Sequence, residues 1–242
     1  MTAGRSLGVL VPFAFAAAVA LADQQGESIA AASCTVGRLQ DMAPQGTTIT
    51  QAVMVDASGA APWHCRVDGH VGVPGNTVSF RLGLPVAWNG KFYFQGIGGL
   101  GGTIGSLNTG LARGYASAST DTGHQADDQT WGHNRAKEID YGHRGTHVTT
   151  VASKALTTSY YSRPPQHAYF NGCSNGGRQA LMEVQRYPED FNGILAGAPA
   201  NNWSHLFTAF VWNEQALLKT PDSSIPPAKL PAIQRAVLVS GR

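Results

Sequence analysis

Charge is scarce in this sequence. Asp, Glu, Lys and Arg make up 13% of its 242 residues, about half of the ~25% usual for a soluble domain. So few charges, with 29 Gly and 13 Pro, exclude a coiled coil or a solvated helical array. The charges of one sign do not cluster either. Lys plus Arg is 17 and Asp plus Glu is 15, leaving a net +2, and no basic block is present, which argues against a nucleic-acid partner. There is no internal repeat and no low-complexity segment. Cysteine is limited to Cys34, Cys65 and Cys173. An odd count leaves at least one of them without an intrachain partner. After residue 22 no apolar run reaches the ~20 residues of a membrane span, and no His/Asp/Glu spacing suggests a metal site. What is present is 43% apolar residues, which excludes wholesale disorder and suits one large domain or two small ones.

The first 22 residues read as a signal peptide. Arg5 is the sole charge before Asp23, Leu7 to Ala20 is apolar, and Ala20-Leu21-Ala22 fits small-x-small cleavage. Export to a secreted or periplasmic location follows, with no membrane association after cleavage and a compartment that permits disulfides.

Along the remaining chain, Thr77 to Leu84 alternates apolar and polar residues as a half-buried strand does. Lys91 to Gln95 is a short aromatic strand followed by a glycine-rich run, Gly96 to Gly102. Tyr115 to Thr120 is another strand. Val148, Val151, Ala152, Ala155, Leu156 and Tyr160 mark one helical face. Ala168 to Asn171 predicts a strand, Asn175 to Tyr187 a helix, and Ile194 to Ala196 a strand. Strands alternating with helices define the α/β class, a parallel-rich sheet covered on both faces. Beyond Ala200 the pattern loosens into a Pro-rich stretch, with a helix over Lys229 to Val239. The domain reading is 1–22 leader, 23–220 the N-terminal part of a catalytic domain, and 221–242 the Pro-rich start of a truncated lid.

Gly172-Cys173-Ser174-Asn175-Gly176 matches the G-x-S-x-G nucleophile elbow. So does Gly4-Arg5-Ser6-Leu7-Gly8, inside the leader. Only Ser174 stands between a predicted strand and a predicted helix, as the elbow requires. The helix N-terminus there aims amide dipoles at a developing oxyanion. One donor to that oxyanion is the amide after the serine, Asn175. The Gly96–Gly102 loop is placed to give the other. The bland alternative is a glycine-rich turn carrying an inert serine.

The longer stretch Asn171 to Gln179 resembles the nucleophile signature of the tannase and feruloyl esterase family, which includes mono(hydroxyethyl) terephthalate hydrolase. So do Gln185-Arg186-Tyr187-Pro188-Glu189-Asp190-Phe191-Asn192-Gly193-Ile194, Ala196-Gly197-Ala198-Pro199, Trp88-Asn89-Gly90-Lys91-Phe92 and Thr120-Asp121-Thr122-Gly123-His124. The resemblance implies an α/β-hydrolase fold and a secreted serine esterase acting on small aromatic esters, hydroxycinnamoyl or galloyl, through an acyl-enzyme. It makes Ser174 the nucleophile and the amides of Asn175 and Gly99 the oxyanion donors, with Gly98 as the alternative to Gly99. It gives the Asn175 side chain little weight. It implies a Cys34–Cys65 disulfide, and for Cys173 a bridge to a cysteine beside the catalytic histidine. The rival assignment of Cys173 as nucleophile puts the thiol one place off the elbow.

The family's Asp and His follow the nucleophile, beyond an inserted lid that carries a calcium site. After Ser174 this sequence has one His, His205, and two Asp, Asp190 and Asp222. The resemblance therefore leads to an expectation of a hydrolase core without its later strands and lid, no cofactor, and Cys173 as a free thiol. The alternative function is an inactive fragment. An Asp190–His205 dyad is the remaining catalytic option. The other histidines have bland readings: His147 on the helix before the nucleophile strand, His64 and His70 flanking early strands, and His124 and His133 in loops over the sheet top, with contact to substrate the lesser alternative for these two.

Overall fold

The computed structural model describes residues 30–240. Its elements are α1 (Val36–Met42), β1 (Thr47–Val55), β2 (His64–Val73), β3 (Asn76–Pro85), β4 (Lys91–Gln95), α2 (Asn108–Leu111), β5 (Ala116–Thr120), α3 (Arg135–Ile139), α4 (Gly145–Tyr161), β6 (His167–Cys173), α5 (Asn175–Arg186), β7 (Gly193–Gly197), α6 (Trp203–Leu217) and α7 (Leu230–Ser240). A π-helical turn, Asp140–Arg144, joins α3 to α4.

The seven strands form one sheet in the order β1-β2-β3-β5-β4-β6-β7. β1, β2, β3 and β5 pair antiparallel. From β5 through β4 and β6 to β7 every pairing is parallel. The parallel half is thus the half predicted from strand–helix alternation, and it puts the C-terminal ends of β4, β5 and β6 side by side. Ligands in open α/β sheets bind at such ends.

The core follows from the aromatic strands. Phe92, Phe94, Phe80 and Phe170 are fully or almost fully buried. Phe94 stacks on Phe170 at 5.5 Å, and Phe191 meets both edge-on. At the other end of the sheet, a Cys34–Cys65 disulfide ties the segment before α1 to β2.

Three features depart from the sequence reading. β1 and β2 were not anticipated as strands, and His64 and His70 lie within β2 rather than beside strands. The β1 register shifts between Ile49 and Gln51, and such a bulge moves the buried set from one parity to the other. In β2, a glycine occupies an inward position: a Cβ on Gly69 would stand 2.5 Å from the Thr48 carbonyl oxygen. The second departure is in α4, where Val151 points outward at 47% exposure. The buried face is Thr146, Thr149, Thr150, Ala152, Ser153, Leu156 and Thr157. Thr150 and Thr157 donate their hydroxyls to the carbonyls four residues back, which lets polar residues occupy a core face. The third is α6, helical where a loose pattern was expected.

The chain divides at Pro199/Ala200 into two compact units. The second holds α6 and α7, joined by short 3-10 turns, one of them closed by a Thr220–Ser223 capping box. Many large apolar side chains on it are exposed, among them Trp212, Leu218 and Val239. Among the described residues no helix is long and apolar enough to cross a membrane. The proposed leader lies outside the described residues.

Candidate active site

β6 ends at Cys173 and α5 begins at Asn175, so Ser174 alone makes the turn between them. Its backbone sits at φ 86°, ψ −106°, a region that side chains avoid and that costs about 1–3 kcal/mol. The turn survives because its surroundings leave no room for relaxation. The Ser174 amide donates to the Gly197 carbonyl of β7 at 3.0 Å. A Cβ on Gly172 would come within 2.4 Å of the Gly176 oxygen, and one on Gly177 within 2.4 Å of the Gly197 oxygen. The sharp turn lifts Ser174 into solvent. Its hydroxyl has no hydrogen-bond partner among the described residues, whereas Asn175, next in the chain, is 1% exposed.

The Asn175 side chain makes three hydrogen bonds to the protein. Its Oδ1 accepts from the Tyr141 hydroxyl at 2.9 Å and from Arg178 Nε at 2.8 Å. Its Nδ2 donates to the Ile97 carbonyl at 3.1 Å. One turn on, Gln179 Oε1 accepts from the Ile97 amide at 3.1 Å. Positions i and i+4 share a helix face, so α5 grips the Ile97 residue by both its N–H and its C=O. The side chain thus has a structural part in holding the loop, separate from the amide expected to serve the oxyanion.

Ile97 is the root of the glycine loop. From there Gly98, Gly99 and Leu100 are exposed. The Gly101 amide closes a tight turn on the Gly98 carbonyl, with Gly99 at φ +62°. Neither the Gly98 nor the Gly99 amide is donated to a group among the described residues. The Asn175 amide is the first of α5, and the first amides of a helix lack intrahelical acceptors. Unspent N–H donors therefore lie both at the start of α5 and on the loop clamped to it, and these are the groups an oxyanion hole requires.

A buried layer supports the loop from below. The Gly102 amide donates to the Asp121 carbonyl at 2.9 Å. The Asp121 carboxylate accepts from the amides of Ser79 and Gly123 and from Gln125. Burial raises its pKa, and those amide bonds oppose the rise. His124 is 4% exposed, stacked on Trp131 at 4.3 Å and edge-on to Tyr141. Burial lowers its pKa against the opposing charge of Asp121. His124 therefore supports the loop and does not face solvent, which removes the substrate-facing alternative for it, while His133 is exposed. Burial also raises the Tyr141 pKa, keeping its hydroxyl a donor to Asn175. Arg178 lies over the Tyr141 ring at 4.4 Å.

The other candidates lie elsewhere. Asp190 accepts from His147 Nδ1 at 2.7 Å. His205 Nδ1 is bonded to Asn202 Oδ1 at 2.8 Å. The structure thus gives Asp190 a different imidazole from the one the dyad reading required. Cys173 is exposed and unbridged among the described residues, and Cys34 and Cys65 are joined as expected. One group that sequence spacing did not reveal is His147, Glu183 and Asp190, whose ligand atoms all lie within 4.8 Å of one another. They come from α4, α5 and the turn before β7, so no local motif announces them.

A family model described as tannase and feruloyl esterase matches residues 65–241. An uncharacterised esterase of Xanthomonas campestris pv. campestris is 37% identical over 227 residues, covering 86% of this chain and 39% of that protein. A probable feruloyl esterase of Arthroderma benhamiae is 41% identical over 155 residues, 59% of this chain and 29% of that protein. The crystal structure of feruloyl esterase B from Aspergillus oryzae superposes with a TM-score of 0.69 at 29% identity, covering 81% of this chain and 42% of that one. The chain spans about two-fifths or less of the length of these relatives. The α/β-hydrolase fold is shared with these esterases.

Proposed function

The chain belongs to the tannase and feruloyl esterase family, an esterase family, and from that premise we propose that it supplies the nucleophile and oxyanion hole of a serine carboxylic ester hydrolase acting on small aromatic esters of the hydroxycinnamoyl or galloyl type. The observation that carries the reading is Ser174: a serine in a strained strand-to-helix turn, its hydroxyl unclaimed, beside unspent backbone donors.

In this reading Ser174 Oγ attacks the ester carbonyl carbon. A histidine base takes the hydroxyl proton, as in a Ser-His-Asp triad. The amides of Asn175 and Gly99 hold the oxyanion, with Gly98 the alternative second donor. The C–O bond to the alcohol breaks, and the base returns the proton to the departing alkoxide. Water then attacks the acyl-enzyme, releasing the aromatic acid and restoring Ser174. The preorganised amides pay no reorganisation cost during attack, and losing one such donor typically costs about 3–4 kcal/mol of barrier.

No imidazole bonds Ser174 Oγ among the described residues, and family order places Asp and His after the nucleophile. The family resemblance sets its catalytic histidine, and the cysteine that pairs with the Cys173 position, beyond the lid, and on that reading His205 is not the base. Export is supported by the Cys34–Cys65 disulfide and by the N-terminal pattern.

The test compares the 242-residue chain with one extended at its C terminus to the length of its relatives, using methyl ferulate and an activated phenyl ester. The expected result is weak hydrolysis by the first, because a triad without one member keeps about 10³–10⁴-fold over water. The extended form should gain orders of magnitude, and Ser174→Ala should abolish the gain. Robust turnover by the shorter chain that His205→Ala removes would overturn the assignment of the base. An extended, folded protein with no Ser174-dependent activity would leave the inactive-relic reading in its place.

A further inference from the structure

Glu183 projects from the third turn of α5 and is fully buried. No N–H or O–H group donates to either of its carboxyl oxygens among the described residues. Its polar neighbour is another carboxyl, Asp190, also buried. Two carboxyl groups meet in a protein interior only across a proton or a cation, because two adjacent buried anions repel and lose their hydration. The third member, His147, presents Nδ1 to Asp190 Oδ2 at 2.7 Å. Its side chain is 31% exposed, so one wall of the cluster opens to solvent.

We propose that His147, Glu183 and Asp190 form a binding site for a divalent transition cation of the Zn²⁺ or Mn²⁺ class. Two carboxylates and one imidazole suit these metals. The ligand atoms lie within 4.8 Å of one another, and a tetrahedral shell with 2.0–2.2 Å bonds spaces its ligands about 3.4 Å apart, so the widest pair must close by up to about 1.4 Å while His147 Nδ1 and Asp190 Oδ2, now 2.7 Å apart, open to admit the ion. Water completes the coordination. Two nearby cations are engaged elsewhere: Lys154 Nζ donates to the Asp190 main-chain carbonyl and Arg144 pairs with Asp140. Neither supplies a counter-charge to Glu183. Tyr187 stacks on the His147 ring at 3.8 Å and holds its plane, and the Tyr187 hydroxyl bonds His143 Nδ1 at 2.8 Å.

The site's role is mechanical rather than chemical. Glu183 stands nine residues along α5 from Ser174, roughly 13 Å at the helical rise, and the loop at Asp190 is tied by Asn192 to the N-terminal end of β6. The bound ion would clip α4, α5 and the turn into β7 together, stabilising the fold by binding the native state alone. The inference is independent of the proposed esterase activity.

The chain is stripped with chelator, returned to Zn²⁺ or Mn²⁺, gel-filtered and assayed for bound metal and Tm. The expected result is one equivalent bound to the wild type and a Tm rise of about 5–10 °C at free metal near a hundredfold above Kd. Glu183→Gln should lose that equivalent, because surface imidazoles are untouched by this buried change. His147→Phe, which preserves the stack on Tyr187, should weaken binding at least tenfold. Metal retained equally by Glu183→Gln, or no metal held by folded wild type, would overturn the site and leave a shared proton between Glu183 and Asp190.

Discussion

Replacing Asn175 by alanine tests whether the nucleophile helix holds the glycine loop in place. The side chain is 1% exposed and makes three hydrogen bonds: from the Tyr141 hydroxyl, from Arg178 Nε, and to the Ile97 carbonyl. A neutral bond contributes about 1 kcal/mol net and one to a charged group about 1.5–3 kcal/mol. The three together come to about 4 kcal/mol, with Arg178 the largest share because its charged, buried Nε loses this acceptor. That corresponds to a Tm fall on the order of 10 °C for a domain of this size. Urea melts of Asn175→Ala against Ser174→Ala give the number. Hydrogen exchange adds the location: the Ile97 amide, held by Gln179, should lose protection in Asn175→Ala. Asn175→Asp separates the contributions. It keeps both acceptor bonds and strengthens them with charge, but sets a carboxylate oxygen against the Ile97 carbonyl. The loop should therefore exchange faster while most of the stability remains. A loss below about 1 kcal/mol in Asn175→Ala, with Ile97 protection intact, would refute the clamp.

Further expectations concern strain, cross-links and pH. Ser174→Gly should melt higher than Ser174→Ala, because glycine accepts φ 86° and alanine does not; the reverse order would remove strain from the account of the elbow. Reducing Cys34–Cys65, which closes a separation of 31 residues, should cost about 3–4 kcal/mol, measured by denaturant melts of Cys34→Ser. In the unreduced 242-residue chain, a maleimide should label Cys173 and spare Cys34 and Cys65. Labelling of Cys34 would contradict the bridge. Burial lowers the His124 pKa below its ordinary 6.5. The unfolded chain then takes up the proton first as pH falls. This part of the stability is present above about pH 6.5 and is lost as pH drops through the folded value. His124→Phe should flatten the profile between about pH 7 and 5, and an unchanged slope would assign the acid sensitivity elsewhere.

Local pattern alone determined the parallel half of this protein. Lys91–Gln95 reads as a strand because apolar aromatics bounded by Gly90 and Gly96 have no other economical arrangement. Gly172 to Gly177 reads as an elbow because a serine between a strand and a helix needs neighbours without Cβ atoms. Those are short-range constraints, and the chain writes them within a few residues. Tertiary structure decided the rest. The β1 bulge and the inward Gly69 acquire meaning only when Thr48 and Phe80 press against them, so β1 and β2 lack a clean alternation. Buried Thr150 and Thr157 of α4 look polar until their hydroxyls turn back onto the helix. His124 occupies a loop in sequence but lies under Gly101 and between aromatic rings in space. Asn175 looks interchangeable until Ile97, seventy-eight residues earlier, arrives with a carbonyl to be held. The His147, Glu183 and Asp190 group is likewise invisible along the chain, since two helices and a turn must pack before their side chains converge. Residue spacing reports what a segment does with its own backbone; which distant group it meets is set by how the layers stack.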